Sequence, residues 1–377
     1  MAKRKELRHA FGFDDVAIAP GVTTVNPELT DISTELGGER LEIPILASAM
    51  DAVVDPSFAI ELGRRGGLAV LNLEGLQCRF EDPDSVLAEV AATDTAGATA
   101  VLQKAYASPI RDDLIALRIQ QIKDGGVKAA VSITPPNTKR IAPIVEDAGA
   151  DFFVVQATVT TARHISSSKK GLVLRELIDQ VSMPVLVGNT VSYEASLELM
   201  EEGISGLLVG VGPGAACTSR EVLGIGVPQV TATIDCAAAR DAYFEQSGRY
   251  VPIITDGGIR TGGDLCKAFA SGADAVMIGS PFAGTLEAPG GGYHWGMATP
   301  HAELPRGVRV HLGQHTTLDR LLKGPTSRTN GTENFVGALR TCMGSIGAER
   351  LRQMHDADLI IAPAIKTEGK IYQMMRD

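Results

Sequence analysis

No stretch of the sequence approaches the roughly 18 uninterrupted apolar residues that a membrane-spanning helix requires, and its five cysteines (Cys78, Cys217, Cys236, Cys266 and Cys342) include no Cys-x-x-Cys pair. The first absence argues against a membrane protein, and the second against a thiolate zinc site or a disulfide framework, so reduced thiols are expected. Positive charge is also short: 35 Lys and Arg against 45 Asp and Glu give a net charge of −10. A protein that grips a nucleic-acid backbone needs a basic stripe to displace counterions, so no nucleic-acid partner is expected. The opening "MAKRKELRH" lacks the apolar run of a secretory signal and reads as a solvated tail, which makes a cytoplasmic location the expectation. The seven histidines suggest no zinc site, and no low-complexity tract or second-domain signal is visible.

What the chain does contain is apolar material for a large core, 44% of its residues against 21% charged. Eight short apolar runs recur: "IPILAS" (43–48), "GLAVLN" (67–72), "VKAAVSI" (127–133), "DFFVVQ" (151–156), "MPVLVGN" (183–189), "GLLVGVG" (206–212), "VPIITDGG" (251–258) and "DAVMIGS" (274–280). Their apolarity is continuous rather than alternating, as a parallel strand covered on both faces requires. Helical stretches such as "SYEASLELMEEG" and "TGGDLCKAFASG" lie between them. Eight strand–helix units predict an α/β fold, a closed (β/α)8 TIM barrel, as one domain over residues 1–377. Two passages break the regularity: about 35 residues after the second strand, and a Gly-, Pro- and His-rich flap of about 283–325 after the eighth. Loops of that length predict lids or disordered segments.

In such a barrel the chemistry belongs to the loops after the strands. "ITDGGIRTGGDLCKAFASGADAVMIGS" (254–280) places glycines at the ends of the seventh and eighth strands, where backbone N–H groups can approach a phosphate, with Asp256 placed to accept from ribose hydroxyls. "GVGPGAACTSR" (210–220) follows the sixth strand. A free cysteine is more often an inert core residue, but this glycine-rich loop presents Cys217 with peptide N–H dipoles that favour a thiolate. The other four cysteines lie in segments without comparable chemistry. "KTEGKIYQ" (366–373) reads by itself as a solvated turn.

These segments, with "FGFDDVAIAP", "IPILASAMDAVVD", "EAP", "WGMAT" and "KTEGK", occur in the order found in the IMP dehydrogenases and GMP reductases, which the chain resembles over nearly its whole length. It is most similar to the short branch of cyanobacteria and actinobacteria that lacks the regulatory CBS pair, for which the residues after the second strand are too few. The resemblance implies NAD-dependent oxidation of IMP to XMP in guanine nucleotide synthesis, with Cys217 adding to C2 of the purine and Ser219 as its hydroxyl neighbour. It implies a 5′-phosphate held by Gly258, Gly279 and Ser280, with His294 in place of a tyrosine, and the ribose on Asp256. The base would lie among Ser48, Met50, Asn189, Gly214, Met297 and Ala298. The cofactor would meet Gln156, Thr158, Gly210 and Gly212. A potassium ion would take the carbonyls of Gly212, Gly214 and Cys217, completed by Glu368 and Gly369 of a neighbouring subunit, which implies a homotetramer.

Several positions depart from the family pattern. Ala215 replaces a serine and Ser219 a threonine, and Gln156 stands where an aspartate binds the cofactor ribose, leaving NAD against NADP open. The flap has no Arg-Tyr pair to activate the hydrolytic water; Arg306 and Arg309 are the substitutes to consider, each against the plainer reading of a solvated loop charge. The reductase's glutamate is missing as well, its place falling near Lys323. NADPH-dependent GMP reductase, and a nucleotide-binding protein without catalysis, are the alternatives.

Overall fold

All eight apolar runs form strands: β1 (Ile45–Ala47), β2 (Leu68–Asn72), β3 (Ala130–Ile133), β4 (Phe152–Gln156), β5 (Val185–Thr190), β6 (Gly206–Val209), β7 (Ile253–Asp256) and β8 (Ala275–Ile278). In the computed structural model, which describes residues 7–165, 172–365 and 370, they pair in parallel and in chain order. The pairing of β8 with β1 closes the barrel. Side chains alternate between two apolar layers, as the two-residue period of a strand demands. Phe152 and Val154 of β4 point into the barrel interior with Leu46, Val70, Leu186 and Leu208, while Phe153 and Val155 face the surrounding helices.

The bottom of the barrel is stoppered. A hairpin of Thr34–Leu36 and Glu39–Leu41 turns through Gly37 (φ 57°) and Gly38 (φ 86°), a left-handed pair that suits a two-residue hairpin turn. It pushes Leu36, fully buried, and Leu41 into the interior cluster. Leu36 reaches the start of β6, where a Cβ on Gly206 would stand 3.2 Å from its Cδ1.

Each strand is followed by a helix on the outer layer: α1 (Pro56–Arg64), α2 (Asp112–Asp124), α3 (Pro135–Asp147), α4 (Leu174–Gln180), α5 (Tyr193–Glu201), α6 (Gln229–Ser247), α7 (Gly262–Ala270) and α8 (Phe335–Ile346). Asp55, Ser192 and Thr261 accept from the free N–H groups at the starts of α1, α5 and α7, the ordinary remedy for donors that lack a helical partner.

The residues after β2 are not an open lid. They form two helices, Pro83–Ala92 and Ala98–Tyr106, which enclose Trp295 with Leu76, Leu87, Val90 and Leu102. The Trp295 indole N–H donates to the Tyr106 hydroxyl at 2.9 Å, and that hydroxyl donates to buried Asp51. The 283–325 passage is likewise ordered, with a short ladder between Tyr293–His294 and Val310–His311 and a helix at Leu318–Leu322. Arg309 ties the two together. Its guanidinium lies 4.6 Å from the centre of the Tyr293 ring and donates to the carbonyls of Val90 and Thr93, the latter at 2.8 Å. These carbonyls belong to the end of Pro83–Ala92, where a cation is favoured.

Candidate active site

A cavity of about 1160 Å³ opens over the carboxyl ends of the strands, lined by residues that follow β1 and β3 to β8. Of the five cysteines only Cys217 lines it. Cys78 and Cys236 are buried elsewhere, and burial pushes each thiol up to about 12. The loop carrying Cys217 leaves β6 through Gly210, at φ 149°, where a Cβ would collide with the Asp256 carbonyl. Cys217 is half-buried; its N–H donates to the Gly214 carbonyl at 3.1 Å, and its Sγ lies 3.3 Å from the Ser219 hydroxyl.

The flap reaches this loop directly. Cys217 and Gly307 form an isolated antiparallel bridge. The Thr218 N–H donates to the Arg306 carbonyl at 3.4 Å, and the Val308 N–H to the Ala216 carbonyl at 2.9 Å. Arg306 is thereby fixed beside the thiol and lines the cavity; its Nε is buried without a partner among the described residues. Arg309 does not share this position. Committed to Val90, Thr93 and Tyr293, it lies outside the cavity, and the expectation that it could act on water is corrected. Neither arginine is a freely solvated charge.

Asp256 ends β7 at the cavity floor. The side-chain amides of Asn189, from β5, and Gln156, from β4, both donate to its Oδ2, at 2.9 and 3.0 Å. Burial raises Asp256 to about 6, and these two amides, by favouring the carboxylate, pull it partly back. Gln156 also donates to Asn189 Oδ1 at 2.9 Å, while its own Oε1 has no donor. Gln156 is thus engaged by Asp256 and Asn189, and Thr158 lines the cavity beyond it.

Gly258, Gly279 and Ser280, expected at the phosphate, lie together at the ends of β7 and β8, on the wall of one cavity. Gly257 and Gly258 turn with φ of 88° and 82°, opposite Gly279 and Ser280 at the end of β8. At Gly279 a Cβ would come within 2.7 Å of Met50 Sδ, so any side chain there would displace Met50 in the cavity wall. Ser280 Oγ lies 2.8 Å from His294 Nε2, which brings together two residues expected at the phosphate. His294 is almost fully buried, and burial lowers it to about 4, so the ring is neutral near pH 7. Ser48, Met50, Met297 and Ala298 line the wall between this corner and Cys217.

For a monovalent cation the Cys217 loop offers neutral backbone carbonyls, the oxygen donors hard cations take. Gly212 is in the left-handed region (φ 78°), and no atom lies within 4 Å of the Cβ position of Gly214, which leaves room beside the loop. Glu368 and Gly369 lie outside the described residues. Among the described residues no group of His, Cys, Asp and Glu is placed to hold a metal; His311 stacks on Tyr293 at 4.1 Å, and His315 Nδ1 donates to the Gly313 carbonyl at 3.0 Å.

Sequence reasoning overlooked three features. Gln229, on α6, donates to the carbonyls of Val209 and Asp256 at 2.7 and 3.1 Å and so ties the β6 and β7 loops. Phe13 and Arg260 also line the cavity, with Lys267 donating to the Phe13 carbonyl at 2.7 Å. A second cavity of about 230 Å³ adjoins the first, lined in part by Glu74, Arg79 and Tyr106. Glu74 lies just past β2, where strand-end logic alone would have placed it.

Comparison with known proteins agrees with this geometry. The domain model described as IMP dehydrogenase / GMP reductase domain matches residues 10–299. The chain is 39% identical to an uncharacterized oxidoreductase of Mycolicibacterium smegmatis, covering 95% of this chain and 98% of that one. It is 28% identical to an inosine-5′-monophosphate dehydrogenase of Methanocaldococcus jannaschii, over 98% and 96%. A solved IMP dehydrogenase/GMP reductase-like protein of Corynebacterium glutamicum superposes with a TM-score of 0.91 at 36% identity, covering 96% of this chain and 97% of that one. With the barrel, the cysteine loop and the phosphate corner in place, the match over residues 10–299 settles the kinship: the chain belongs to the IMP dehydrogenase/GMP reductase family of oxidoreductases.

Proposed function

We propose that this protein oxidises IMP to XMP with NAD as hydride acceptor, through a covalent bond between Cys217 and C2 of the purine. The observation that carries this direction is Arg306, held by backbone pairing beside Cys217 with its Nε unpartnered. An oxidation through a cysteine adduct ends in hydrolysis, and hydrolysis needs a polar group aimed at the attacking water.

The 5′-phosphate sits at Gly258, Gly279 and Ser280, with His294 as a neutral hydrogen-bonding partner, and the ribose on Asp256. Cys217 attacks C2, assisted by Ser219. A nicotinamide bound alongside supplies the acceptor for the C2 hydride. The residue left on Cys217 is a thioimidate; water adds to C2, the thiolate leaves, and the net change is IMP, NAD+ and water to XMP, NADH and a proton. Splitting the oxidation in this way is the benefit of covalent catalysis. Arg306 holds the attacking water and stabilises charge that develops during its attack. A potassium ion at the carbonyls of Gly212, Gly214 and Cys217 would fix the loop's shape. Its completion by a neighbour's Glu368 and Gly369 makes a homotetramer part of this reading.

GMP reduction with NADPH is the second reading, favoured by the absence of a tyrosine next to Arg306. Incubation with IMP and NAD should yield XMP and NADH; conversion only of GMP and NADPH, to IMP and ammonia, would replace the first reading with the second. Cys217→Ser should lower turnover by roughly a thousandfold or more. Arg306→Ala should keep a rapid first equivalent of NADH while lowering steady-state turnover by about 10²- to 10⁴-fold; loss of the burst would remove Arg306 from the hydrolytic step.

A further inference from the structure

We propose that Glu74 accepts a ribose diol of the dinucleotide cofactor, supplying from β2 the carboxylate that Gln156 does not supply from β4. The inference rests on the reading that a nicotinamide dinucleotide is the hydride partner.

The strand register aligns the relevant residues. Asn72 pairs with Ser132, and Ile133 with Val155, so Glu74 and Thr134, just past β2 and β3, and Gln156, the last residue of β4, occupy neighbouring positions on the rim. At the β4 position the side chain is an amide whose N–H groups already serve Asn189 and Asp256. At the β2 position there is a carboxylate, and it is fixed. The Thr134 N–H donates to its Oε2 and the Thr134 hydroxyl to its Oε1, both at 2.9 Å, and the Asn137 amide donates to Oε1. Its backbone is held too: the Glu74 N–H donates to Asn72 Oδ1 at 3.1 Å and its carbonyl accepts from Arg79 Nε at 2.7 Å. An ionised carboxylate has roughly four acceptor sites, so three donors from Thr134 and Asn137 leave it able to take another.

That carboxylate lines the smaller cavity, about 230 Å³, which has Thr134, Met297 and His301 in common with the larger one. The small cavity is therefore a side chamber of the larger one, next to Met297. Asn72, Arg79, Tyr106 and His301 line it beside Glu74, with Met297 and Pro300 as its apolar side. Vicinal hydroxyls are good donors to a carboxylate, the same chemistry by which an acidic side chain at a strand end recognises ribose in other dinucleotide sites.

A purely structural duty, steadying the start of α3 through Thr134, would give a different result from cofactor recognition. With Cys217→Ala as the parent, to prevent turnover, and saturating IMP present, NAD and NADP are each titrated by calorimetry. Glu74→Ala should weaken the dinucleotide that binds by about tenfold or more, with IMP affinity held within about twofold. Glu74→Gln, which keeps the length and one acceptor, should weaken it by a smaller factor. Equal dinucleotide affinity in the parent and Glu74→Ala, or equal weakening of IMP, would overturn the proposal, as would a parent that binds neither dinucleotide. Glu74-dependent binding of NADP alone would uphold it while the NAD-dependent reading fell.

Discussion

Asp256 is placed where its charge is costly and useful at once. Burial lifts its carboxyl from 3.8 to about 6, so between about pH 4 and 6 the folded protein holds a proton that the unfolded chain has released. Stability from that proton is present at low pH and is lost as the pH rises through about 6. Asp256→Asn should therefore raise the unfolding free energy by about 1–3 kcal/mol at about pH 8 and by little near pH 4, as urea melts at the two values would show. The same change should weaken IMP binding, because a ribose hydroxyl donates better to a carboxylate than to an amide. If the variant were no more stable at the higher pH, the two amide donors would be compensating the buried charge in full. Asp256, Ser280 and Cys217 were readable because each follows an apolar run and sits among glycines. The pairing of Gln156 with Asp256 was not, since it depends on three strands meeting across a barrel rather than on any local pattern.

The flap is where local pattern fails most. The strands announce themselves by continuous apolarity, whereas the flap holds its place through a two-residue ladder, two backbone hydrogen bonds to the Cys217 loop and one arginine clamp. None of these has a period. The Pro83–Ala92 helix did leave a trace that was passed over: Asp82 followed by Pro83 is an N-cap with proline in the first turn. Because Arg309 joins the flap to that helix, Arg309→Ala should lower kcat by about tenfold while leaving IMP affinity within about twofold. Hydrogen exchange across residues 299–312 should speed up in the same variant. Arg309→Lys should not restore the rate, for an ammonium cannot serve two carbonyls and a ring face with the planar fork of a guanidinium. Unchanged exchange alongside a lowered kcat would mean that Arg309 acts by some route other than holding the flap.

Across the molecule, the two ends of the barrel do different work. The cavity that holds Cys217 and Asp256 opens at the carboxyl ends of the strands, while the other end is sealed by the hairpin that inserts Leu36 and Leu41. Leu36→Ala should cost about 2–4 kcal/mol of stability without changing the KM for IMP, which calorimetric melting and steady-state kinetics would separate; a raised KM would show that the plug strains the site across the barrel's length. Trp295 spans the same division of labour from the side. It is the chain's one tryptophan, buried against the inserted helices with its N–H on Tyr106 and two residues from Met297 in the cavity wall. The protein thus carries a single native indole at the seam between inserted helices, flap and cavity. Its emission is an optical readout of what happens at that seam, with no label to attach and no second indole to obscure the signal.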